Sequence, residues 1–160
     1  MRMRLGLLCL LLIATTASAQ SLEQQAMCAK QAKAYFQEDN PDNQKANQKA
    51  LDYGYKSLGS DYVSHYNAKL NRCFVLVDGS SQAPDGRFGT NSQLADAFER
   101  RIYATYGWTS EKGKRYWEVP PTICELMPKG KPALNEDHRE TTNCSSKDEY
   151  DAFVAKYMEE

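Results

Sequence analysis

The chain has none of the short signatures through which catalysis or cofactor binding is usually legible. G-x-S-x-G, H-E-x-x-H, the P-loop and G-x-G-x-x-G are all absent from its 160 residues. That removes the motif-borne routes to acyl transfer, zinc hydrolysis and nucleotide binding. Histidine is scarce, with His65 and His138 the only two, so imidazole bases and ligands have few seats. Net charge is small, −1 overall, and gives no electrostatic reason to expect nucleic acid or an anionic membrane surface as a partner. No apolar run approaches the roughly 20 residues of a spanning helix. No catalytic residue, metal or cofactor is predicted.

What is present at the start is an export pattern. Arg2 and Arg4 precede an apolar run over positions 5 to 14, and Thr15 and Thr16 lead to Ala17, Ser18 and Ala19 before Gln20. A positive flank, an apolar run of about ten residues and an A-x-A site read as a cleavable secretory signal over residues 1 to 19. Cys9 lies inside that run behind bulky Leu8, not in the small-residue setting of a lipidation signal. Residues 20 to 160 are then expected to form a single domain, periplasmic or secreted. It keeps 18 of the 20 basic side chains against 21 acidic ones, a net charge of −3.

Four cysteines remain after such processing: Cys28, Cys73, Cys124 and Cys144. An even count in an exported chain predicts two disulfides, and the absence of C-x-x-C spacing argues against zinc or redox use. Four cysteines allow three pairings, and sequence alone cannot choose among them. The expected pairing is Cys28 with Cys73 and Cys124 with Cys144, because each would tie a terminal helix onto a strand.

The fold is expected to be α+β, an antiparallel sheet of about four strands covered on one face by N- and C-terminal helices. Ser21 reads as an N-cap for a helix over residues 22 to 38, with Cys28, Ala32, Tyr35 and Phe36 on its buried face. Asn40-Pro41-Asp42-Asn43 would stop it. Strands are expected over 61 to 66 and 73 to 77, followed by a long loop over 78 to 92. Residues 94 to 108 fit both a helical stripe and strand alternation, and the strand-rich Ile102 to Tyr106 decides for strand. A further strand is expected over 115 to 126, with Pro120-Pro121 at an edge or bulge, and a loop over 128 to 143. Ser146 and Glu149 form a capping box for a last helix whose stripe is Tyr150, Phe153, Val154, Tyr157 and Met158.

Candidate chemistry is thin. Cys73 with His65 would make a nucleophile pair only if the thiol were free. Glu38, Asp39, Asp42, Asp78 and Asp85 lack the spacing of a calcium loop. Asp96 and Glu99 read as exposed acids in surface ion pairs near Arg100 and Arg101 rather than as a glycosidase pair. Aromatic content is the feature that stands out, with ten tyrosines and two tryptophans. Tyr and Trp are enriched at interfaces, where a ring packs while its polar atom finds a partner. The expected contact residues are Tyr66, Tyr106, Trp108 and Trp117, flanked by Arg101.

The stretch Tyr62-Val63-Ser64-His65-Tyr66-Asn67, then Leu70-Asn71-Arg72-Cys73-Phe74, resembles a motif of small exported bacterial proteins of unknown function. In those, a cysteine-bearing helix precedes an H-Y-N-x-x-L-N-x-C-F segment, and a late cysteine precedes a terminal helix ending in Y-M, as Tyr157-Met158 does in this chain. The resemblance implies the compartment and the four-cysteine plan, and no catalytic residue. Within the segment, Asn67 and Asn71 suit turn conformations and Leu70 would plug the turn's inner side. The functional expectation is a non-enzymatic exported domain binding a protein, an envelope polymer or a small ligand through an aromatic-rich face. The alternatives are a hydrolase-like enzyme using His65 and a structural envelope component.

Overall fold

The alternation Cys73-Phe74-Val75 sets the architecture. In the computed structural model, which describes residues 8 to 38, 52 to 132 and 141 to 159, these three consecutive side chains are all buried. Successive strand residues point to opposite faces, so both faces of the strand must be covered. Cys73 and Val75 pack with Cys28 and Ala32 of helix α1 (Leu8–Gln37). Phe74 packs with Tyr150, Phe153 and Val154 of helix α2 (Lys147–Met158). The two helices therefore lie on opposite faces of the sheet, not on one face as the element order suggests.

The sheet has six antiparallel strands in sequence order: β1 (Lys56–Asn67), β2 (Arg72–Gln82), β3 (Phe88–Asp96), β4 (Arg101–Thr109), β5 (Ile123–Pro132) and β6 (Thr142–Asn143). The α+β class stands, with six strands in place of four. The expected loop over 78 to 92 is mostly strand: β2 and β3 stay in register from Phe74 opposite Asp96 to Gln82 opposite Phe88. Ladder bonds on both sides hold the Ser- and Asn-rich stretch extended despite poor strand propensity. The turn is confined to Ala83-Pro84-Asp85-Gly86-Arg87, where the Gly86 N–H donates to Ala83 O and Gly86 takes φ 84°. Asp85 accepts from the Arg87 backbone N–H at 3.1 Å.

Residues 94 to 108 are extended as expected, but they are two strands with a turn between them. Asp96 Oδ1 accepts the N–H groups of Phe98 and Glu99 at 2.8 and 2.9 Å, which turns the chain locally. Arg100 then takes a left-handed φ of 56°. Phe98 accordingly sits in the turn, away from the strand face it shares in the sequence pattern. The expected strand over 115 to 126 is also corrected: Tyr116–Glu118 form a 3-10 turn and β5 starts only at Ile123. Consecutive prolines before it supply no N–H for a ladder. The expected loop over 128 to 143 is shortened, since β5 runs to Pro132 and β6 occupies Thr142–Asn143; residues 133 to 140 lie outside the described residues.

Helix α1 starts well before residue 22, so Ser21 lies within it and not at its start; neither Gly nor Pro occurs between Leu8 and Gln20. The stop at Asn40-Pro41-Asp42-Asn43 lies outside the described residues. Both disulfides join the expected cysteines, Cys28 to Cys73 and Cys124 to Cys144, with Cα separations of 5.3 and 5.0 Å. The first ties α1 to β2, and the second ties β5 to the residues leading into α2. At that start Ser146 Oγ accepts the Glu149 N–H, while Glu149 reaches back to the N–H of Ser145. The sheet edge at β1 is partly sealed, because the Tyr62 N–H donates to Asp61 Oδ1 at 2.7 Å, which occupies a donor that another chain would need.

Four core tyrosines give the fold a pH limit. Burial raises the phenols of Tyr103, Tyr106, Tyr150 and Tyr157, with the Tyr116 hydroxyl adding to the shift at Tyr106. Below pH about 9 tyrosines are neutral in folded and unfolded chains alike and add no pH dependence. Above about pH 10 the unfolded chain loses protons that the folded chain keeps, so stability falls with rising pH. Urea titrations between pH 8 and 11 should show this decline, made shallower by Tyr150→Phe. A midpoint unchanged across that range would contradict it.

Candidate functional site

The β4–β5 connection presents an aromatic turn to solvent. Its base is Trp108, whose indole N–H donates to Val119 O at 3.1 Å and whose ring lies 4.7 Å from that of Tyr116. The hydroxyls of Tyr106 and Tyr116 meet at 3.0 Å. Glu118 accepts from the Arg115 backbone N–H at 2.7 Å and from its guanidinium at 3.0 Å. Those contacts hold Glu118 below the ordinary carboxylate range. With both ends of the turn fixed, Trp117 projects outward at 72% exposure, its ring overlain by Arg115 at 4.8 Å.

The five sequence-derived contact residues therefore divide. Tyr106 and Trp108 are buried on the sheet face that α2 covers, so they support the turn and cannot reach a partner themselves. Trp117 is the one that faces solvent there. Arg101 is at the far end of β4, where its guanidinium donates to Gly130 O at 2.5 Å. Tyr66 is on the α1 side, its hydroxyl donating to Asn71 Oδ1 at 2.6 Å. No single face gathers all five.

A second surface lies beside Tyr66. Helix α1, the β1–β2 turn and the β3–β4 turn enclose an open hollow of ≈ 490 Å³. Met27, Leu70 and Phe98, from those three elements in turn, stand around it at 51%, 48% and 57% exposure. Leu70 thus points outward and does not plug its turn. That inner position belongs to fully buried Asn67, which accepts the Leu70 N–H and donates to Tyr157 O. Left-handed backbone is adopted by Asn71, at φ 51°.

On the floor of the hollow, Arg72 Nη1 donates to Asp96 Oδ2 at 2.9 Å and Glu99 Oε2 at 2.7 Å. The contact with Glu99 chiefly raises the guanidinium pKa. Asp96 is buried, which corrects the expectation of two exposed acids paired with Arg100 and Arg101. Arg100 instead pairs with Glu38 at 2.7 Å. The sequence carried a signal for the turn, an Asp two residues before Phe98, but none for Arg72, which is 24 positions away.

No family model, curated protein or solved structure matches the chain. Cys73 is bonded to Cys28, so it carries no thiolate and the Cys73 and His65 pair is excluded as a nucleophile. His65 sits opposite Phe74 in the β1–β2 ladder.

Proposed function

We propose that the chain is an exported, non-enzymatic binding domain that captures a protein partner in the cell envelope or outside it, with Trp117 as its anchor. One observation carries this reading: Trp117 is held out of the core on a turn fixed at both ends by hydrogen bonds. Trp, Tyr and Arg are the residue types enriched among interface hot spots. A ring that is already ordered loses little conformational freedom on binding. Export is supported by the signal pattern at residues 1 to 19 and by two disulfides, which persist in oxidising compartments. The likeness of the His65 to Phe74 segment to small exported bacterial proteins points the same way.

Partner capture from envelope extract by the wild type, by Trp117→Ala and by His65→Ala tests the proposal. A captured protein should be lost on Trp117→Ala, by a factor of about 30 in affinity, since an anchor truncation costs about 2 kcal/mol. It should be kept on His65→Ala, with circular dichroism unchanged in both. Capture that survives Trp117→Ala would refute the anchor. Turnover of an ester, glycan or peptide library that disappears in His65→Ala would replace binding by hydrolysis.

A further inference from the structure

The hollow beside Tyr66 uses none of the residues of the aromatic turn, and three separate elements each expose an apolar side chain around it. We infer that it is a second contact site, for an apolar peptide segment that carries a basic residue. The apolar part of that requirement comes from Met27, Leu70 and Phe98, half exposed on three sides of one concavity. Covering them removes apolar surface from water on three sides of an inserted side chain.

The charge requirement comes from the floor. Arg72 neutralises one of its two carboxylates, which leaves a net charge of −1 on the trio. Both oxygens of Asp96 are engaged, Oδ1 by two backbone N–H groups and Oδ2 by Arg72, and its side chain is 3% exposed. The surplus charge is therefore expressed at Glu99, whose side chain is half exposed. A cation on the ligand is attracted there and an anion repelled, by the modest amount that a solvent-facing pair supplies. Gln24 and Asn71 also line the hollow, and side-chain amides are the groups that hydrogen-bond a peptide backbone.

The test is an NMR titration of the isotope-labelled chain with two probes, acetyl-Leu-Lys-Leu-Leu-amide and acetyl-Leu-Glu-Leu-Leu-amide. Amide shifts should cluster around Met27, Leu70 and Phe98. At low salt the lysine peptide should bind about three-fold tighter than the glutamate peptide, and salt should erase the difference. Glu99→Gln should bring the two affinities together, and Phe98→Ser should weaken both about ten-fold. Trp117→Ala should alter neither, which separates this site from the proposed anchor. Scattered or absent shifts at millimolar peptide, or a glutamate peptide that binds as well as the lysine one, would overturn the inference.

Discussion

Serine at both Cys28 and Cys73 is expected to lower the stability of the fold by about 4 kcal/mol. The bridge closes a loop of 45 residues, for which the chain-entropy relation gives about that value; the 20-residue loop between Cys124 and Cys144 gives about 3 kcal/mol. Against a typical net stability of about 5 to 15 kcal/mol, the first loss is large. Its consequences should be localised as well. The core on the α1 side is made of small side chains, Ala32, Val75, Ala95 and Ala97 around the disulfide. Beyond it α1 is tied by the Gln31 amide donating to Ala97 O, the Gln93 amide donating to Tyr35, and the Phe36 ring stacked 4.7 Å from Tyr62.

Without the bridge, hydrogen exchange in α1 should rise towards that of an opened segment while α2 stays protected. The Cys124 and Cys144 pair should behave differently, because α2 keeps Tyr150, Phe153 and Val154 buried after the bond is gone. Urea unfolding under non-reducing conditions measures both losses. A change below 1 kcal/mol in the Cys28 and Cys73 variant, repeated with alanines to remove any effect of a buried hydroxyl, would show that packing alone holds α1.

The four-cysteine count announced two bridges but left three pairings open; the fold makes the pairing that ties each terminal helix region to a strand. The last helix was legible because its cap and its stripe are local. What was missed is non-local. Phe74 and Val75 read as a buried run, but which helix covers which face depends on the whole chain path. Tyr106 and Trp108 have the composition of an interface and serve as core. An aromatic strand looks the same in sequence whether a helix or a partner covers it. The difference lies in α2, which brings the Tyr150 ring to 5.4 Å from Tyr106. Arg72, Asp96 and Glu99 meet only because β2 and β3 pair with Phe74 opposite Asp96. No spacing rule within one segment could have joined them.

Tyr150→Ala should destabilise the fold by about 3 to 5 kcal/mol, the cost of emptying a fully enclosed aromatic site. Tyr150 has 0% exposure and sits where α2 crosses the sheet. Its ring packs among Tyr106 and the rest of the α2-side core. Its hydroxyl donates to buried Ser92 Oγ at 3.0 Å, so the side chain is satisfied at both ends. Tyr150→Phe separates the two contributions: it keeps the ring and removes the donor, at a cost of about 1 kcal/mol. Chemical denaturation of the two variants should therefore differ by at least about 2 kcal/mol. The direction has a structural consequence, because Tyr150 packs on Tyr106, whose hydroxyl meets that of Tyr116 beside the Trp108 ring in the aromatic turn. An alanine at 150 should loosen that turn and raise the exposure of the Trp108 indole, read as a red shift in fluorescence, whereas phenylalanine should leave it in place. Equal losses in the two variants would mean that the hydrogen bond, and not the packing, anchors α2.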